Sequence, residues 1–145
     1  MRFRILLAED NPGDVLLFRE ALKGSGMQFE LVVAEDGERA IRLIQDANAK
    51  SVEDVFHLIV LDMNLPRYDG TSVLREVRDS PKTNTTPVAV FTSSDSPDDH
   101  RQAETLGAIY IRKPMDLEAY LAIGPRLREL LNKEPGIHLI APEAG

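Results

Sequence analysis

Short apolar runs recur along the chain at regular intervals: Ile5–Ala8, Leu31–Ala34, Leu58–Leu61, Val88–Phe91 and Ala108–Ile111. Most are rich in β-branched or aromatic residues and are bounded by charges, glycine or proline, so they read as strands buried on both faces, as in a parallel sheet. Amphipathic helical patterns lie between them. Asn11-Pro12-Gly13-Asp14 predicts a helix start: Asn11 caps, Pro12 suits the first turn, and Asp14 favours the positive end of the helix. That helix buries Val15, Phe18, Ala21 and Leu22 and stops at Gly24 or Gly26. The Asp36-Gly37 turn opens a second helix marked by Ala40, Ile41, Leu43, Ile44 and Ala47, and Val73, Leu74 and Val77 mark a third. Ser96-Pro97-Asp98-Asp99 repeats the cap-then-proline start for a fourth, ending at Gly107. Leu117, Tyr120, Leu121, Leu127, Leu130 and Leu131 mark a fifth, with Gly124-Pro125 as the place for a bend.

Strand and helix thus alternate five times. Short loops and right-handed crossovers make a doubly wound α/β fold the default, a five-stranded parallel sheet in the flavodoxin-like order 2-1-3-4-5 with five helices. An eight-stranded barrel needs about 250 residues and does not fit in 145. Residues 1–134 are expected to form this one domain, and residues 135–145 a C-terminal tail. The tail carries one apolar stretch, Ile137–Ile140, and reads equally as a disordered end, a short strand or a clasp. Asn48–Val55 reads as a polar surface loop.

Composition narrows the function. With 43% hydrophobic residues, the chain can bury a core without covalent staples. Its 17 Lys+Arg against 24 Asp+Glu give a net charge of −7, which argues against DNA, RNA and anionic lipid as direct partners. No cysteine is present, which removes disulfides, thiolate metal sites and cysteine nucleophiles. The first apolar run ends at Glu9-Asp10, too early for a signal core, and no stretch approaches the ~18 apolar residues of a membrane span. A cytoplasmic protein acting through its own surface is expected.

In this fold, ligands sit beyond the carboxyl ends of the strands. Strand one ends in Glu9-Asp10, strand three in Asp62 with Asn64 two residues on, strand four in Thr92-Ser93, and strand five in Arg112-Lys113-Pro114. Singly, these are ordinary solvated acids, a cap and a surface lysine. Jointly, three carboxylates on one rim repel, so one must take a proton or a cation must join them. Hard oxygen donors without cysteine or nearby histidine suit Mg²⁺, with Mn²⁺ as a substitute. Asp10 and Asp62 can share the metal, Glu9 can help through a water, and the backbone carbonyl of Asn64 can add an oxygen. Asp62 is the candidate nucleophile, able to form an aspartyl phosphate. Lys113 supplies a second positive charge to the phosphoryl oxygens, and Thr92 donates its hydroxyl to one of them, mostly after transfer.

These elements resemble the response-regulator receiver domains of two-component signalling. The resemblance rests on Glu9-Asp10-Asn11, Leu61-Asp62-Met63-Asn64-Leu65-Pro66 running to Asp69-Gly70, Thr92-Ser93 and Lys113-Pro114, spread from Arg4 to about Leu131. It implies that Asp62 is the phosphorylated residue and that the peptide before Pro114 is cis. It also implies that Thr92 and Tyr110 form a hydroxyl–aromatic switch read out on the face of helix four, strand five and helix five. The protein would then be a phospho-acceptor that catalyses only its own phosphorylation and dephosphorylation. Ala8–Val15, Asn64–Gly70, Phe91–Asp95 and the apolar tail are similar to the single-domain regulators paired with bacterial and cyanobacterial phytochromes. That similarity implies a sensor histidine kinase of the phytochrome type as partner, and a homodimer through the helix 4–strand 5–helix 5 face or the tail. Asn64 and Ser94, placed to meet an attacking water, are not bases, so fast self-dephosphorylation is not expected.

Three rivals use the same residues. A flavodoxin would need a phosphate-cradling loop after strand one, where this chain has Glu9, Asp10 and Asp14. An aspartyl-phosphate-type phosphohydrolase is suggested by Asp62-x-Asn64, although such enzymes usually carry the nucleophile on the first strand. A non-phosphorylated docking domain would not need Asp10, Asp62, Thr92 and Lys113 together.

Overall fold

The computed structural model describes residues 2–49 and 55–132. Five parallel strands, β1 (Arg2–Ala8), β2 (Gln28–Ala34), β3 (Leu58–Leu61), β4 (Val88–Thr92) and β5 (Ile109–Arg112), pair in the order β2-β1-β3-β4-β5. Between and after them lie α1 (Pro12–Gly24), α2 (Gly37–Ala49), α3 (Gly70–Asp79), α4 (Pro97–Thr105), α5 (Leu117–Leu121) and α6 (Gly124–Leu131). This is the doubly wound, flavodoxin-like arrangement expected.

Strand side chains alternate between two cores. Leu6, Ile59, Leu61 and Val90 face α2 and α3 residues such as Ile44 and Leu74. Ile5, Leu7, Val60 and Phe91 face Phe18 of α1 and Leu127 of α6. The central strands β3 and β4 are buried at every position, as continuous apolar runs predict.

Local capping sets the helix starts. The Asn11 side chain accepts from the amides of Gly13 and Asp14 at 2.8 and 3.2 Å, and Ser96 accepts from Asp99 at 3.3 Å, each followed by proline. Asp36, Asp69 and Asp116 open α2, α3 and α5 in the same way.

The fifth helical segment is broken rather than bent. Pro125 has no N–H to continue α5, so the chain turns at Ala122–Ile123 and restarts as α6. At Gly124 a Cβ would lie 2.5 Å from the carbonyl oxygen of Ala21, so only glycine lets α6 lie this closely on α1. The Lys113–Pro114 peptide, expected cis, is trans; trans is the intrinsically favoured isomer, and Lys113 reaches its partners with it. The tail at 135–145 lies outside the described residues, as does most of the Asn48–Val55 loop. Among the described residues no helix is long and apolar enough to cross a membrane.

Helix α4 buries only Ala103, the weak anchoring its composition predicts. Its C-terminal end is nevertheless pinned. The Arg78 guanidinium, on α3, donates to the carbonyls of Leu106, Thr86, Gly107 and Asn84 at 2.7, 2.8, 3.2 and 3.3 Å.

Candidate functional site

Strand register brings the acids together. Ala8 pairs with Leu61, and the amide of Asp62 donates to the Ala8 carbonyl at 3.1 Å, so Glu9 and Asp62 leave the sheet side by side. Glu9 and Asp62 are buried while Asp10 is exposed, and one carboxylate oxygen of each lies within 4.8 Å of the others. Thr92 ends β4 fully buried, and its hydroxyl donates to Asp62 Oδ1 at 2.6 Å. The Asn64 amide donates to the same oxygen at 3.0 Å. Lys113, following β5, crosses to Glu9 Oε1 at 2.6 Å, Asp62 Oδ2 at 2.9 Å and Asp14 Oδ2 at 3.2 Å. Five of the residues expected at the rim, Glu9, Asp10, Asp62, Thr92 and Lys113, therefore meet; Asn64 joins through its amide.

The loop from Asp62 to Gly70 has a backbone reason for its residues. At Gly70 a Cβ would lie 2.6 Å from Met63 Cα and 2.7 Å from the Asp62 carbonyl oxygen, so glycine lets α3 begin against the Asp62–Met63 backbone. Arg67 and Tyr68 take positive φ values of 50° and 65°, a conformation that costs about 1–2 kcal/mol per non-glycine residue. The turn is held by the Gly37 amide on the Pro66 carbonyl at 2.9 Å and by Arg67 on Glu38 at 3.1 Å.

Burial alone would push the Asp62 carboxyl up, but the Thr92 hydroxyl, the Asn64 amide and the Lys113 ammonium outweigh it and hold it below the usual range. For Glu9 burial wins: its carboxyl is raised, with Lys113 and the Asn11 amide only partly offsetting. Burial would lower the Lys113 ammonium, but its bonds to Glu9 and Asp62 raise it, so it stays charged. One ammonium facing Glu9, Asp10, Asp14 and Asp62 leaves a formal charge of 1 − 4 = −3. Clustered oxygen donors, excess negative charge and an exposed Asp10 on the open side fit a hydrated Mg²⁺ or Mn²⁺.

With no phosphoryl group present, Thr92 rests on Asp62 itself; a fully buried hydroxyl needs an acceptor, and Oδ1 is at hand. Tyr110 does not touch the carboxylates. Its hydroxyl donates to the Ser94 carbonyl, its ring lies 4.5 Å from that of His100, and the Ser94 amide donates to Thr92 Oγ1 at 3.2 Å. Thr92 and Tyr110 are thus linked through Ser94. Sequence reasoning missed Asp14 as a partner of Lys113. The available signal was its place in the first turn of a helix that starts where β1 ends, since such a turn borders the same rim.

The cleft mouth, about 410 Å³, is lined by Asp14, Leu17, Ser93, Lys113, Met115 and Tyr120. Met115 and Leu117 line it as exposed apolar side chains.

Residues 5–123 match the response regulator receiver domain family. The chain is 32% identical over 133 residues to the response regulator Rcp1 of Synechocystis, spanning 92% of this chain and 84% of that protein. The crystal structure of the phosphorylated cyanobacterial phytochrome response regulator RcpA superposes with a TM-score of 0.80 at 33% identity, covering 90% of this chain and 94% of that one. The Mn²⁺-bound form of Rcp1 superposes at 0.79 with 30% identity, covering 92% and 98%.

Proposed function

The chain belongs to the response regulator receiver domain family, and from that premise we propose that it accepts a phosphoryl group on Asp62 from a sensor histidine kinase and signals by protein–protein contact. The observation that carries this is the convergence of the Thr92 hydroxyl and the Lys113 ammonium on one carboxylate beside Glu9 and Asp10. The receiver unit is residues 1–134, with 135–145 as an appended tail.

Asp62 attacks the phosphorus of the partner's phosphohistidine. A P–O bond forms as the P–N bond breaks, and the P–N electron pair returns to the imidazole nitrogen. Glu9, Asp10 and Asp62, with the carbonyl of Asn64, would hold Mg²⁺, which offsets the repulsion between carboxylate and phosphoryl group. Lys113 brings its charge to the phosphoryl oxygens, and Thr92 passes its hydroxyl from Asp62 Oδ1 to one of them. Because the Ser94 amide rests on Thr92 Oγ1 and Tyr110 on the Ser94 carbonyl, that transfer is felt along the β4–α4 loop and β5. The weakly anchored α4 turns this into a changed α4–β5–α5 face, the surface for a target or a second copy. Exposed Met115 and Leu117 at the mouth suit a protein donor. Similarity to Rcp1 and RcpA makes a phytochrome-type kinase the first partner to try. Asn64 and Ser94, the residues placed to meet an attacking water, are not bases, and the Ser94 hydroxyl is already committed to Asp99 Oδ2 at 2.7 Å, which favours slow self-dephosphorylation.

Incubation with acetyl phosphate and Mg²⁺ should add one phosphoryl group to the wild-type chain and none to Asp62→Asn. Normal labelling of that variant sinks the assignment.

A further inference from the structure

Lys113 cannot serve an incoming phosphoryl group while it rests on the nucleophile. Its three ammonium donors find three carboxylates: Glu9, Asp62 and Asp14. Asp62 Oδ1 is already taken by Thr92 and Asn64, which leaves Oδ2, the oxygen Lys113 occupies, for attack. The ammonium must therefore leave Oδ2 as the donor arrives. Its partners are not equivalent. The side chains of Glu9 and Asp62 are 4% and 7% exposed, whereas that of Asp14 is 24% exposed and borders the cleft mouth.

We propose that Asp14 is a positioning residue for phosphoryl transfer, drawing Lys113 off Asp62 toward the mouth where the donor enters. Asp14 is built for a fixed position. Asn11 caps its amide at 3.2 Å, and its carbonyl accepts from the Tyr120 hydroxyl at 3.2 Å. Tyr120 in turn packs edge-on to Phe91, ring centroids 5.2 Å apart. The first turn of α1 is thus held from α5, and the carboxylate is presented to Lys113 across 99 positions of sequence. Without the Asp14 charge, Lys113 is shared by Glu9 and Asp62 alone and sits more firmly on the nucleophile. The same charge opposes an anionic donor, so its removal should tighten donor binding while slowing transfer.

The proposal rests on Asp62 as the acceptor, and the test separates the two. Labelling rates are measured against acetyl phosphate concentration with saturating Mg²⁺ for wild type, Asp14→Asn and Asp14→Glu. Asp14→Asn is expected to lower the maximal rate about three- to tenfold while its half-saturating concentration stays level or falls, and Asp14→Glu to recover most of the rate. A purely structural residue would shift the melting temperature and leave that split unmoved. Label at Asp62 with an Asp14→Asn maximal rate within about twofold of wild type overturns the proposal alone, as does a glutamate variant as slow as the asparagine. A wild-type chain that takes no label, or a label that survives Asp62→Asn, overturns the acceptor reading and this proposal with it.

Discussion

Lys113 and Arg78 are both cations drawn into the fold, one at the carboxyl ends of the strands and one beneath α4. Lys113 binds three carboxylates, and the charge around it stays negative. Arg78 binds four backbone carbonyls, neutral acceptors at a helix end and a loop. Burial lowers its guanidinium, whereas for the Lys113 ammonium burial is outweighed by Glu9 and Asp62, which raise it. The difference separates moving parts from fixed ones. A cation among surplus anions can exchange one for another at little cost, so it can follow a phosphoryl group. A guanidinium spread over four carbonyls has no such alternative, and it anchors the C-terminal end of α4, a helix that buries only Ala103.

The largest break in this comparison should come from Lys113→Ala. Loss of the ammonium that binds Glu9, Asp14 and Asp62 is expected to slow labelling of Asp62 by about 10²–10³-fold, read with acetyl phosphate and Mg²⁺. A variant within a few-fold of wild type would reduce Lys113 to a structural ion pair. Arg78→Met should do the opposite. Four carbonyls lose a charged donor, so unfolding in urea should show a loss of about 2–4 kcal/mol, while the labelling rate of the folded variant stays near wild type. Slowed labelling at full stability would place Arg78 in the signalling path instead.

A subtler effect concerns pH. The Asp62 carboxyl is held below its unfolded value, burial being outweighed by Thr92, Asn64 and Lys113. It therefore contributes stability above the ordinary carboxylate range, lost as pH falls through the lowered folded value. The raised Lys113 ammonium contributes stability below its ordinary value, lost only as pH climbs through the raised one. Glu9, raised by burial, opposes Asp62 in acid. Metal-free wild type should thus lose more stability between neutral pH and the acid range than Asp62→Asn does, measured by urea unfolding at each pH. Equal slopes would mean that Asp62 is not held by these three donors.

Much of the rim was legible because its residues stand one or two positions past the ends of apolar runs. Glu9, Asp62, Thr92 and Lys113 lie at the carboxyl ends of four strands, and strands of a doubly wound sheet deliver those ends to one edge. Asp14 was harder. Its place in a first turn already had a sufficient explanation in the helix dipole, and nothing local indicates a lysine 99 positions away. Gly70 stood in a recognisable run, but its reason, a Met63 backbone so close that a Cβ would lie 2.6 Å from Met63 Cα, belongs to packing. The broken fifth segment was marked by Pro125, yet whether the helix bends or stops depended on how closely α6 lies on α1.

Periodicity, capping and strand-end chemistry are local properties, and from them the sequence determined the alternation of strands and helices, the parallel sheet and the acidic rim. Only the tertiary structure decided which carboxylates share Lys113, that Thr92 already rests on Asp62, that Tyr110 reaches it through Ser94, and that Arg78 pins α4. Those are contacts between elements distant in sequence, set by register and by helix placement over the sheet.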